Sequence, residues 1–272
     1  MDTEVNEQQV TVLLTDLLDI YGYDFTDYSK ASLKRRINRL YALDHFGSFA
    51  EFRYRIRSNE AYFNRFIEQI TVNVTEMFRD PPFFKALIKE VFPVLATYPF
   101  IRIWHAGCST GEEVYSMAIL LKEAGLLHKS LLYATDINPQ VVKKASSGII
   151  PVASMQQYTE NYLKAGGRGE FSSYYTAGYD HVLFRKELKK HFVFSTHNLA
   201  SESSFNQFQL ILCRNVLIYF ESALQIRVLR LFHESLEQLG YLALGSKETL
   251  RQAPYVSKYR KVCTEKIWRK VN

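Results

Sequence analysis

The chain has 272 residues, 47% hydrophobic and 23% charged, with a formal net charge of +6; this suits a globular protein with one large core or two modest ones and excludes a disordered or fibrous chain. The polar, acidic start from Met1 to Gln9, with no apolar run near the ~18 residues of a membrane span, argues against export and membrane insertion. Cys108, Cys213 and Cys263 are too scattered for a disulfide framework or a C-x-x-C zinc or redox pair, so a reducing cytoplasm and no metal are expected, and a bias of +6 alone does not argue for nucleic acid.

From residue 10 to about residue 97 the apolar periodicity is helical, beginning with Val10, Leu13, Leu14, Leu17 and Leu18. Around Lys30 to Ala42, Leu33, Ile37 and Leu40 fall on one side of a helix and leave Arg35 and Arg39 on the other, flanked by Lys34 and Arg36. Such a basic face suits an acidic partner. Arg53, Arg55 and Arg57 either extend it or sit apart.

After Pro99 the pattern changes to short apolar runs separated by helical stretches: Phe100–His105, Leu131–Asp136, His191–Thr196, Phe208–Cys213 and Gly240–Gly245. That alternation predicts an α/β fold, a doubly wound parallel sheet with crossover helices. The stretch 148–190 interrupts it with glycines, tyrosines and short hydrophobic pairs, and is read as an inserted small antiparallel β subdomain. The domain boundaries expected are 1–75 for a helical domain and 76–272 for the α/β domain.

The first α/β turn, Gly107-Cys108-Ser109-Thr110-Gly111, fits two chemistries: a nucleotide-binding glycine loop and the Gly-x-Ser-x-Gly elbow of a serine hydrolase. In the first, an acid at the end of the next strand accepts hydrogen bonds from ribose hydroxyls, and Asp136 stands about 20 residues on, at the expected place. Ser109 replaces the second glycine of a dinucleotide fingerprint and no third glycine follows, so an adenosyl ligand without phosphates, such as S-adenosylmethionine, fits better than a dinucleotide. In the second reading Ser109 is a nucleophile served by His197 or His233, but no oxyanion-hole loop precedes it and the residues before it are helical rather than stranded. A third reading makes Gly107 and Gly111 only a close-packing device.

With these motifs placed, residues 10 to 270 resemble the chemotaxis receptor methyltransferase family, CheR. The likeness is carried, in order, by Thr71-Val72-Asn73-Val74-Thr75-Glu76-Met77-Phe78-Arg79-Asp80, Ala106-Gly107-Cys108-Ser109-Thr110-Gly111-Glu112-Glu113, Ala134-Thr135-Asp136-Ile137, Asn198-Leu199 and Cys213-Arg214-Asn215-Val216-Leu217-Ile218-Tyr219-Phe220. The resemblance implies a Rossmann-like S-adenosylmethionine-dependent methyltransferase with an N-terminal all-helical domain. Its reaction would be methyl transfer to glutamate side chains in the cytoplasmic helical bundle of chemoreceptors (methyl-accepting chemotaxis proteins), with S-adenosylhomocysteine as product.

Carried over by position, the resemblance implies cofactor contacts from Asn73, Thr75, Arg79, Gly107, Glu113, Asp136, Asn198, Leu199, Asn215 and Val216. Arg79 and Tyr219 are the expected catalytic residues, and Lys34, Arg35, Arg36 and Arg39 the expected receptor-binding ones. Asn73 and Thr75 read equally as helix-terminating residues. A cytoplasmic monomer is expected. The rival within the same fold is a cofactor-binding scaffold or sensor without receptor activity.

Overall fold

The computed structural model describes residues 4–271. Its first helices start where side chains can satisfy free backbone N–H groups. Asn6 and Gln9 form a reciprocal capping box for α1 (Glu7–Tyr21), which Gly22 ends at φ +73°. After α2 (Lys30–Leu43), Ser48 and Asn59 cap α3 (Phe49–Ser58) and α4 (Glu60–Ile70) by accepting from Glu51 N and Tyr62 N. Leu13, Leu17, Leu33, Ile37, Phe52 and Phe66 are buried within this helical unit. The unit comprises residues 4–73 with Tyr219–Val228. Arg53 is tied to Asp16 by two hydrogen bonds, of 2.5 and 2.8 Å. That hydrogen bonding, assisted by the Arg53 charge, holds the Asp16 carboxyl below its ordinary range despite burial.

The second unit, 74–218 with the chain from Leu229 onward, carries the sheet. In it α5 (Pro81–Ala86) passes through a π-helical turn (Leu87–Val91) into α6 (Phe92–Leu95). There follow β1 (Ile101–Ala106), α7 (Glu112–Glu123), β2 (Ser130–Asp136) and α8 (Pro139–Ser147), then the insert of β3 (Ile149–Pro151), α9 (Met155–Ala165), β4 (Tyr175–Ala177) and β5 (His181–Phe184). The main sheet resumes through α10 (Lys186–Lys189), β6 (Phe192–Thr196) and β7 (Phe208–Cys213). It closes, after α11 (Ser222–Ser235), with β8 (Leu236–Leu244), β9 (Tyr259–Lys261) and β10 (Ile267–Lys270). Strand order is β6-β2-β1-β7-β8-β10-β9. The first five strands are parallel to their neighbours, β10 is antiparallel to β8, and β9 is antiparallel to β10.

Because β2 lies on one side of β1 and β7 on the other, the strand order reverses at β1, where ligands settle outside the carboxyl ends of strands. Fully buried Trp104 anchors this centre: its indole Nε1 donates to Thr135 Oγ1 at 2.9 Å, and Phe208, Phe205 and Phe232 surround it.

The insert and the last parallel strand extend beyond what the sequence predicts, and a terminal hairpin is added to the sheet. The insert does hold an antiparallel sheet, ordered β3-β5-β4, but also the 11-residue helix α9. Its buried face is Met155, Tyr158, Asn161, Tyr162 and Ala165, a helical spacing written largely in tyrosine and asparagine rather than aliphatic residues. The last parallel strand starts at Leu236 rather than Gly240, with a register irregularity opposite β7 and Leu239 at φ +66°. The hairpin of β9 and β10 was not anticipated: its strands are three and four residues long and rich in arginine and lysine, as befits a protected sheet edge. Among the described residues no helix is long and apolar enough to cross a membrane.

Candidate functional site

The chain leaves β1 through three left-handed residues, Gly107 (φ +80°), Ser109 (φ +49°) and Gly111 (φ +95°). Four of the five N–H groups of residues 107–111, all but that of Thr110, are spent on the protein itself. Gly107 N and Cys108 N donate to Thr135 O at 2.8 and 2.9 Å, Gly111 N to Cys108 O at 3.0 Å, and Ser109 N to Asp136 Oδ2 at 2.9 Å. A phosphate cradle needs such groups free and aimed at the ligand. This turn therefore does not suit a pyrophosphate, whereas a phosphate-free adenosyl ligand makes no such demand.

Asp136 also accepts from Asn138 N at 3.1 Å through Oδ1, so each carboxylate oxygen holds one backbone donor and keeps capacity for another. Burial raises its pKa, and the backbone hydrogen bonds only partly oppose that rise. Asn138 meanwhile caps α8 by accepting from Gln140 N. The next loop is seated on the same strand end, where His197 N donates to Asp136 O. Asn198 and Leu199 follow, nearly buried, with Asn198 Oδ1 accepting from Ala200 N.

The packing reading of the glycines is realised as well. A Cβ on Gly107 would stand 2.4 Å from Val216 Cγ2, and one on Gly111 would stand 2.9 Å from Ala145 Cβ. Gly107 thus brings together two of the sequence-predicted positions, the glycine turn and Val216.

Glu113 is held by partners within the protein, Oε1 with His105 Nδ1 and Oε2 with Arg214 Nη1, both at 2.9 Å. Burial alone would raise its pKa, but the His105 hydrogen bond and the Arg214 charge outweigh it and hold the group below the usual glutamate range. Arg214 Nη2 reaches on to Asp80 Oδ2 at 2.7 Å and Arg79 O at 3.1 Å, and its guanidinium lies 4.0 Å from the centre of the Phe83 ring. Arg79 sits between two left-handed residues, Phe78 (φ +53°) and Asp80 (φ +59°), and its own guanidinium donates to Val74 O. Thr75 lies half-buried in the same segment.

His105, Asp80 and Arg214 were missed as site residues. One signal was available: an arginine directly after the six wholly buried residues of β7 must find carboxylates.

In the helical unit, Asn73 Nδ2 donates to Thr71 Oγ1 at 3.1 Å and Glu68 O at 3.4 Å, so it finishes the end of α4. Arg35 and Arg39 are exposed and Lys34 half-buried, but Arg36 does not join their face. Its guanidinium donates to Ile70 O and Ser32 Oγ and covers the Tyr219 ring at 4.9 Å. The Tyr219 carbonyl accepts from Ser29 N.

The hydrolase reading fails on geometry. Ser109 Oγ is buried without a hydrogen-bond partner. His197 Nε2 instead faces Ser203 O, and His233 Nδ1 the Tyr259 hydroxyl.

Residues 73–265 match the family described as CheR methyltransferase, SAM binding domain, and residues 9–71 match the CheR methyltransferase all-alpha domain. The chain belongs to the CheR methyltransferase family. It is 46% identical over 265 residues to Cher3 of Pseudomonas putida, covering 96% of each chain. It is also similar to the chemotaxis protein methyltransferases of Listeria innocua (32% identical, 86% of this chain and 87% of that one) and Salmonella typhimurium (34%, 79% and 73%).

Membership makes S-adenosylmethionine the cofactor, as the residues had indicated. The local chemistry agrees: most N–H groups of the turn are engaged within the protein, and Asp136 retains acceptor capacity.

Proposed function

We propose that this CheR-family chain transfers the methyl group of S-adenosylmethionine to glutamate side chains in the cytoplasmic helical bundle of chemoreceptors, working in the cytoplasm. The observation that carries the proposal is the match of both CheR domains across nearly the whole chain, together with relatives named chemotaxis protein methyltransferase.

A glutamate carboxylate, with an ordinary pKa of about 4.3, is already ionised near neutrality and requires no general base. As its oxygen bonds to the methyl carbon, the carbon–sulfur bond breaks and the electron pair stays on sulfur, leaving a methyl ester and S-adenosylhomocysteine. What remains for the protein is positioning and partial desolvation. Asp136 holds the ribose, Asn198 and Leu199 border the adenine, and the segment around Asn73, Thr75 and Arg79 takes the methionine end. Asn215 and Val216 complete the pocket from the turn after β7.

Arg79, steadied by the Arg214 bonds to its carbonyl and its neighbour, orders the reacting groups with its planar fork of donors. The Tyr219 hydroxyl gives the incoming carboxylate one light hydrogen bond, since a tight ion pair would blunt the nucleophile. Glu113, seated by His105 and Arg214, keeps acceptor capacity on each oxygen for the methionine end, as Asp136 does for the ribose.

Receptor recognition falls to Arg35 and Arg39 with Lys34, and Arg36 is withdrawn from that role. Reversing both charges, Arg35→Glu with Arg39→Glu, is expected to raise the receptor KM by roughly 5- to 30-fold, from about 1–2 kcal/mol of lost surface attraction. Cofactor affinity should stay unchanged, and the effect should shrink with added salt. Unchanged receptor kinetics would remove these residues from recognition.

The function is tested by labelled-methyl transfer to receptor cytoplasmic fragments. The label should appear on the fragment and be released by mild base, as a carboxyl ester is. A chain that binds S-adenosylmethionine but transfers no label to any fragment would instead be a scaffold or sensor.

A further inference from the structure

A buried acid stands on a third loop near the two turns. Glu248, 4% exposed, sits on the loop after β8, and its carboxylate is met by main-chain donors. Oε1 accepts from Val216 N at 2.9 Å and Leu217 N at 2.8 Å, and Oε2 accepts from Asn215 N at 3.1 Å and Gly245 N at 2.5 Å. Three of these four donors are consecutive residues of the turn after β7, and the turn opens with Asn215 at φ +62°. A left-handed residue followed by converging N–H groups is a concavity that binds anions, and here the chain supplies its own anion.

Burial raises the Glu248 pKa, and the four N–H groups pull it back only in part. The approach is close enough to dictate the neighbouring residue. A Cβ on Gly245 would lie 2.7 Å from Glu248 Oε2 and 2.8 Å from Asn215 N.

A buried acid held so closely sets the main-chain direction of residues 215–217. It thereby sets the direction in which the Asn215 side chain leaves the backbone, and it keeps Val216 seated over Gly107, whose missing Cβ leaves room for that side chain. The glycine turn after β1 and the turn after β7 are thus put in register from a third loop, 31 residues or more away in sequence.

We infer that Glu248 is a positioning residue of the cofactor site, a carboxylate that plugs the Asn215–Leu217 turn and so presents Asn215 and Val216 to S-adenosylmethionine. This rests on the proposal that those two residues border the cofactor.

The test is calorimetric affinity of the full chain for S-adenosylmethionine and S-adenosylhomocysteine, well below each variant's melting temperature. Glu248→Gln keeps the shape but turns one oxygen into an NH₂ donor, so two of the four N–H groups face a donor instead of an acceptor. Affinity for both ligands should fall about tenfold or more, with native circular dichroism retained. Glu248→Ala should fall at least as far and regain affinity in millimolar formate, a carboxylate small enough for the vacated concavity, while wild type should show no gain.

Wild-type affinity in Glu248→Gln overturns the inference, as does a lowered melting temperature with unchanged affinity, which marks a purely structural acid. Asn215→Ala separates the premise from the inference. If it alone leaves affinity unchanged, the reading of the Asn215 side chain fails, while a loss in Glu248→Gln still upholds the positioning of the turn.

Discussion

Arg214→Ala is expected to destabilise the chain by about 3–5 kcal/mol, the usual result of removing one partner from a buried charge cluster, and to abolish methyl transfer in whatever folded protein remains. The reason lies in what the guanidinium joins. It satisfies Glu113, Asp80 and the Arg79 carbonyl from a position where its side chain is 3% exposed. Without it, the half-buried Glu113 keeps only His105, and the segment with left-handed Phe78 and Asp80 loses its tether to Arg214. Arg214→Lys keeps the charge but not the fork, so it should recover part of the stability and little of the activity.

The pH dependence has a definite sign. In the native chain Glu113 titrates below its unfolded value, so its stabilisation is present above pH ~4.3 and is lost as pH falls through the lowered folded value. In Arg214→Ala, two of the influences that oppose burial are gone and the acid takes up a proton more readily than in the wild type. The stability gap between variant and wild type should therefore widen from acid toward neutral pH. Chemical denaturation across that range measures it, and a gap below about 1 kcal/mol at neutrality would show that the cluster contributes no more than an ordinary exposed pair.

Gly107→Ala carries the second large effect. The added methyl would meet Val216 Cγ2 at 2.4 Å on a backbone with φ +80°, which combines overpacking of about 1–3 kcal/mol with left-handed strain of about 1–2 kcal/mol. Affinity for S-adenosylmethionine should drop at least tenfold or so. The double variant Gly107→Ala with Val216→Ala removes the collision but not the strain, so its stability loss should be smaller than the sum of the single losses. Strict additivity would mean that the two turns do not press on each other.

The parts of the molecule legible in the sequence are those where local chemistry and global fold agree. The helix-to-strand change after Pro99, the glycine turn and Asp136 each follow from residues near in sequence, and the family resemblance sets them in order. What stayed hidden depends on partners far along the chain. Glu113 reads as a free acid at the start of a helix until β7 brings Arg214 beside it from 101 residues away. Arg36 borders the apolar side of α2 on a helical wheel, yet only the end of α4 shows why it turns inward, to Ile70 O. Glu248 lies in a segment whose sequence, Gly245-Ser246-Lys247-Glu248, reads as a solvated loop. The β9 and β10 strands were illegible for a different reason, since such short charged strands lack the apolar alternation that marks a half-buried one.

The most direct test is a crystal structure of the chain with S-adenosylhomocysteine bound. The account predicts the ribose hydroxyls within hydrogen-bonding distance of Asp136, the nucleoside against the Gly107–Gly111 turn, and Asn198, Leu199, Asn215 and Val216 around the adenosyl group. A ligand seated elsewhere, or a ribose turned away from Asp136, would contradict it.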